Sequence, residues 1–141
     1  MKYHFKIHKE GRGFWAECVE LEGLLTQADT KEELWENMQD ALSLYLQEPA
    51  ESDYMAALPN PKLSKKSNLV QVSVDPETAF AFMVRYHRMK KKLTQQEAAK
   101  KMGFKSLYSY QRLEKKCNAT LEMIAKIKNL FPDFSIDFAL A

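Results

Sequence analysis

The sequence predicts an α+β protein in two parts: an N-terminal β-β-β-α-β unit and a C-terminal all-helical unit closed by a terminal strand. Three observations carry this. Residues 2–28 alternate apolar and polar positions with a period of two, interrupted at glycines. Residues 30–47 and 76–131 instead space apolar residues three and four apart, behind Thr or Asp-Pro start signals. The charge also changes sign: residues 1–67 carry 8 Lys and Arg against 12 Asp and Glu, a net of −4, while residues 68–141 carry 13 against 7, a net of +6. An acidic half joined to a basic half points to two different partners.

Tyr3, Phe5 and Ile7 alternate with Lys2, His4, Lys6 and His8, the pattern of a half-buried strand. Glu10-Gly11-Arg12-Gly13 is the turn. Phe14, Ala16 and Cys18 share one face of a second strand, with Trp15, Glu17 and Val19 on the other. After Glu22-Gly23, residues 24–28 form a short third strand, which makes an antiparallel meander. Thr30 and Glu33 form a capping box for a helix to about Gln47, with Leu34, Met38, Ala41, Leu42 and Tyr45 as its buried stripe. Pro49 stops it, and residues 49–67, with three prolines, read as loop. Residues 69–74 form the last strand of this unit, Val70, Val72 and Val74 on one face. A small sheet on one helix is a two-layer solution. The domains are therefore 1–75 and 76–141.

Asp75-Pro76 opens the next helix, whose inner face is Phe80, Met83, Val84 and His87. The organising stretch follows, LTQQEAAKKMGFKSLYSYQRLE, residues 93–114. Thr94 and Glu97 form a second capping box. Ala98, Ala99 and Met102 are the apolar stripe of a short helix, and Gly103 ends it in the left-handed region. A second helix covers about 106–115, with Tyr110 and Leu113 as a buried pair. This is the sequence form of a helix-turn-helix, whose second helix can enter the DNA major groove. Gln95 is placed to meet the DNA backbone. Thr94, Lys105, Ser106, Tyr108, Ser109, Gln111, Arg112 and Lys115 are candidates for base edges or phosphates. The Lys90–Lys92 run beside them is either a solvated helix end or a further phosphate contact. Thr120 caps a last helix with Leu121, Ile124, Ile127 and Phe131 on one stripe, ended by Pro132. In the tail, Phe134, Ile136, Phe138 and Leu140 alternate with polar or small residues. That predicts a strand pairing with its copy in a second chain, the seam of a homodimer or higher oligomer.

No run approaches 18 apolar residues, so no membrane span is expected. The first residues, MKYHFKIHKEGR, have no apolar core of a signal peptide, and a cytoplasmic chain is expected. Cys18 and Cys117 fall in different parts and read as reduced thiols. His4 and His8 lie ~13 Å apart along a strand, too far to share a metal, and read as solvent-facing. Catalytic, cofactor and metal sites are all expected to be absent.

Two resemblances add to this reading. LTQQEAAKKMG, YQRLE and ATLEMIAKIKNLF resemble the lambda-repressor-like (Cro/C1, XRE) helix-turn-helix family, with the turn region FKSLYS about one residue longer than the usual spacing. FWAECVELEGLLTQADTKEELWENMQDALSLYL resembles the HicB antitoxin family: Trp15-Ala16-Glu17, then Glu20-Leu21-Glu22-Gly23, Thr26 to Thr30, and Glu32-Glu33 at a helix start. Ala28 stands where that family often has glycine. The resemblance implies a truncated ribonuclease-H-like N-terminal domain that binds a HicA-type mRNA-cleaving toxin, and a C-terminal domain that binds the operator DNA of its own operon.

The expected function is therefore that of an antitoxin in a type II toxin–antitoxin pair, masking its toxin and repressing its own transcription. Trp15, Glu17, Glu20, Leu21, Glu22 and Leu24 are the candidate toxin contacts, the carboxylates meeting a cationic surface. One alternative is a stand-alone DNA-binding regulator. The other is a ribonuclease-H-like nuclease, against which the first strand, lacking Asp and Glu between Tyr3 and His8, argues.

Overall fold

The computed structural model describes residues 1–47 and 52–141. The chain divides into two compact units. The first holds strands β1 (Lys2–Glu10), β2 (Gly13–Cys18) and β3 (Leu25–Ala28), helix α1 (Lys31–Leu46) and strand β4 (Val70–Ser73). The second holds α2 (Pro76–Lys90), α3 (Gln95–Lys101), α4 (Leu107–Leu113), α5 (Leu121–Leu130) and α6 (Ile136–Leu140). The fold is α+β, with one antiparallel four-stranded sheet in the order β3-β2-β1-β4.

Period two explains the first unit. In register, Phe5 faces Cys18 and Val70, Ile7 faces Ala16, and Tyr3 faces Val72. Tyr3, Phe5, Ala16, Cys18 and Val72 are buried together with Leu34, Met38, Leu42 and Leu46 of α1. The Glu33 amide donates to Thr30 Oγ1 at 3.1 Å, so Thr30 caps α1. Pro49, read as the stop of this helix, lies outside the described residues.

The other face of β1 departs from expectation. His4 is not solvent-facing: it is 2% exposed. The segment before β4 is more than loop. It makes a 3-10 turn over Pro61–Lys65, capped by Asn60, whose Oδ1 accepts from the Lys62 amide at 3.0 Å. Ser64 of this turn and Glu20 after β2 close over His4. These contacts span 60 and 16 residues, which no local pattern reports.

In the second unit, Thr78 to Arg85 are consecutively buried, so α2 is a central helix and not one with a single inner face. Thr94 caps α3 through both halves of a capping box, and Gly103 follows at φ +76°, where a side chain would be strained. Ser106 caps α4, its Oγ accepting from the Ser109 amide at 3.2 Å. Thr120 caps α5.

Two expectations fail here. Leu121 opens α5 but is 86% exposed, so the stripe narrows to Ile127 and Phe131 with Ile124 half-buried. The tail is not a strand. Ser135 Oγ accepts from the Phe138 amide at 3.1 Å and starts the helical turn α6. Phe134 turns inward against Phe80 and His87, with ring centroids 4.9 and 5.4 Å away. Lys128 Nζ donates to the carbonyls of Pro132 and Phe134 at 3.1 and 2.7 Å, fixing the bend. The helical turn breaks the alternation: Phe134 is buried, Ile136 half-buried, and Phe138 and Leu140 exposed. A polar-apolar alternation this short fits a single capped helical turn as well as a strand, and packing of Phe134 decides between them.

Candidate functional site

The second unit builds an exposed helix on a buried polar network. Arg88 of α2 donates from Nε to Glu114 Oε1 at 2.5 Å and from Nη1 to the Leu93 carbonyl at 2.7 Å. The Tyr110 hydroxyl donates to the same Glu114 oxygen at 2.8 Å, and Gln95 Nε2 donates to the other at 2.8 Å. Gln111 Nε2 then donates to Gln95 Oε1 at 3.2 Å. Three side chains, from the end of α2, the start of α3 and the middle of α4, thus meet on one carboxylate. Burial, then the Glu114 charge, push the Tyr110 phenol far above its usual range, so it stays a neutral donor. Such a network is costly when incomplete and orienting when complete.

What it orients is the outer face of α4 and its flanks. Tyr108, Ser109 and Arg112 on the helix, and Lys105, Ser106 and Lys115 beside it, are all exposed, Tyr108 at 69%. Gln95 and Gln111 are half-buried and joined to each other, so the spacing of α3 and α4 depends on the two candidates themselves. Thr94 and Ser106 are exposed but spend their hydroxyls on the helix caps. Beside α4 lies an open cleft of about 350 Å³ with Arg112, Lys116 and Asn118 on its rim. Arg88 and Glu114 are the residues sequence reasoning missed. Glu114 was in view as the last letter of YQRLE, but Arg88 is one of several charged residues on α2, with Glu77, Arg85 and Lys90, and nothing local singles it out.

In the first unit the expected toxin-contact set separates. Leu21 and Leu24 are 1% and 4% exposed, and the Glu20 side chain is 5% exposed. These three serve the interior and cannot present a surface. Leu21 and Leu24 fill the core below the β2–β3 connection, and Glu20 is spent on the amides of His4 and Asn60 and on His4 Nδ1. Trp15, Glu17 and Glu22 remain accessible. Trp15 stacks on its cross-strand neighbour His8, centroids 4.0 Å apart at 14°, and His8 Nε2 lies 3.6 Å from Glu17. Trp15 also lines an open cleft of about 470 Å³ with Glu10, Phe14, Asp29 and Glu33. The carboxylates that share space with the tryptophan are thus Glu10, Asp29 and Glu33, contributed by the hairpin end and the start of α1. Strand alternation could not group them, because they meet only once the hairpin and helix pack.

Among the described residues no three His, Cys, Asp or Glu side chains come together as a metal site. Both cysteines are free and buried, and burial raises each thiol to about 11. No described helix is long and apolar enough to cross a membrane. No protein-family model matches the chain, and no curated protein matches it in sequence.

Proposed function

We propose that the chain is an antitoxin that masks a HicA-type, mRNA-cleaving toxin with its first unit and binds operator DNA with its second. The observation that carries the DNA-binding half is the exposed surface of α4 and its flanks, polar and basic from Lys105 to Lys115 apart from Leu107, held by the Arg88–Glu114–Tyr110–Gln95 network. A short capped helix with Tyr108 and Arg112 exposed, and Gln111 half-buried at its edge, suits reading of base edges, and the lysines beside it suit phosphates. The net charge of +6 over residues 68–141 supports the same partner.

The masking half rests on the acidic, aromatic cleft. Glu10, Asp29 and Glu33 around Trp15 and Phe14 offer negative charge and π-faces to a cationic protein surface. Glu17, on the same face of β2 as Trp15, extends that surface, and Glu22 is a separate exposed carboxylate beyond the other end of β2. A homodimer would present two α4 helices to a palindromic operator, ~34 Å apart. Leu121, Phe138 and Leu140, left exposed on the second unit, are available for its seam.

Two experiments test this. Arg112→Ala and Gln111→Ala weaken binding in a mobility-shift assay with the chain's own upstream DNA at fixed salt, by ~1–3 kcal/mol per lost base-edge contact. Unchanged affinity in both removes α4 as the reading helix. Co-purification with the product of the adjacent gene tests masking, and failure to bind a small basic neighbour leaves the stand-alone regulator as the reading.

A further inference from the structure

Three side chains of the first unit stand in the order of a hydrolytic triad, and the proposed antitoxin role uses none of them. Ser64 Oγ lies 3.0 Å from His4 Nε2, and His4 Nδ1 lies 2.7 Å from Glu20 Oε2. Nucleophile, base and orienting carboxylate are recognised by this geometry, whatever their order in the chain. We propose that Ser64 is an activated nucleophile that accepts acyl groups from activated acyl donors, with His4 as its base and Glu20 as the residue that positions His4.

The hydrogen bonds set the roles. Glu20 accepts from the His4 amide at Oε1 and from the Asn60 amide at Oε2, both at 3.0 Å. Two fixed amide donors hold an ionised carboxylate, which can only accept. His4 Nδ1 must therefore carry the hydrogen in that pair. In the neutral ring this leaves Nε2 as the acceptor, and it faces the Ser64 hydroxyl. Burial differs along the relay as the chemistry requires. His4 and the Glu20 side chain are 2% and 5% exposed, which locks their rotamers, whereas Ser64 is exposed on the 3-10 turn and open to a donor from solvent.

The step balances without a cofactor. Ser64 Oγ attacks the acyl carbon while its proton passes to His4 Nε2. The bond from that carbon to the leaving oxygen breaks, and the leaving group takes the proton from Nε2. Water then attacks the Ser64 ester by the same route, releasing a carboxylic acid and restoring the hydroxyl.

The test is covalent labelling of the full chain with a fluorophosphonate, in which the serine oxygen displaces fluoride from phosphorus, read by peptide mass mapping. Ser67, exposed three residues along the same segment, is the internal control. The expected result is an adduct on Ser64 formed at least ~100-fold faster than on Ser67, the lower end of what a positioned base supplies. Ser64→Ala removes that adduct, and p-nitrophenyl acetate gives a burst of nitrophenol that the same variant abolishes. Glu20→Gln, with folding checked by circular dichroism, slows bond formation and leaves the reversible binding constant of the probe unchanged. Equal labelling of Ser64 and Ser67 overturns the proposal by itself, even if Glu20→Gln does not fold. Fast labelling that Glu20→Gln leaves untouched overturns the role of Glu20.

Discussion

Glu20 and Glu114 are both interior carboxylates, with side chains 5% and 3% exposed, and each is the hub of its unit. Their partners differ. Glu20 takes two backbone amides and an imidazole, from positions 4 and 60. Glu114 takes side chains, from Arg88, Tyr110 and Gln95. One carboxylate ties a strand to loops that cross it, and the other sets the spacing of helices. Removing the first frees amides that can find water as the loops open. Removing the second strands a guanidinium among apolar residues.

The largest expected effect follows from that difference. Glu114→Ala leaves the buried Arg88 without its carboxylate, holding only the Leu93 carbonyl, and costs ~3–5 kcal/mol. Both tryptophans, Trp15 and Trp35, lie in the first unit, so tryptophan fluorescence reports that unit and far-ultraviolet dichroism weights the helices of the second. In urea, Glu114→Ala lowers the dichroism midpoint with little change in the fluorescence midpoint. A joint shift of both would show that the two hubs do not act on separate units.

Glu20→Ala is the mirror experiment. It moves the fluorescence midpoint, by roughly 1.5–3 kcal/mol, the range for hydrogen bonds to a charged group. If it costs more than Glu114→Ala, the distinction between amide-held and guanidinium-held carboxylates is wrong.

Thr94→Ala sharpens the comparison within the second unit. It removes a cap bond of 3.0 Å to the Glu97 amide and leaves the Glu114 hub intact. The expected loss is about 1 kcal/mol in the same denaturation assay. Glu97 is held below the usual carboxylate range, chiefly by its bond to the Thr94 amide, and this variant removes the hydroxyl half of that box.

The smallest effect is a pH dependence of the second unit. Burial holds His87 below the usual imidazole range, Lys90 and Lys128 push the same way, and Asp133 opposes them. The unfolded chain therefore binds this proton more readily than the folded one. Its contribution to stability is complete above the unfolded value of ~6.5 and is lost as pH falls below it. The dichroism midpoint should fall between pH 7 and 5, and His87→Gln should flatten that part of the curve. An unchanged slope in the variant assigns the dependence to another group.

Legibility followed the range of the interaction. Strands β1 to β4, the Thr30, Thr94 and Thr120 caps and the Gly103 stop were all readable, because each depends on residues within a few positions of one another. Tyr110 and Leu113 were readable for the same reason, one face of one helix. The tail misled because its alternation has two local solutions, and Phe134 chose through Phe80 and His87, more than forty residues upstream. His4 misled because strand alternation reports which side of the sheet a residue faces and says nothing of what later chain covers that side.

By itself the sequence determined the α+β class, the order of elements from β1 to α5 apart from the 3-10 turn, and most of the exposed polar residues around α4. Propensity, capping and periodicity act locally, so one stretch at a time is enough to read them. Only the tertiary structure decided which carboxylates are spent inside and which face solvent. Glu20 and Glu114 went in because amides and a guanidinium from distant segments offset their desolvation. Glu10, Asp29 and Glu33 stayed out and gathered around Trp15, because the hairpin end and the helix start meet there.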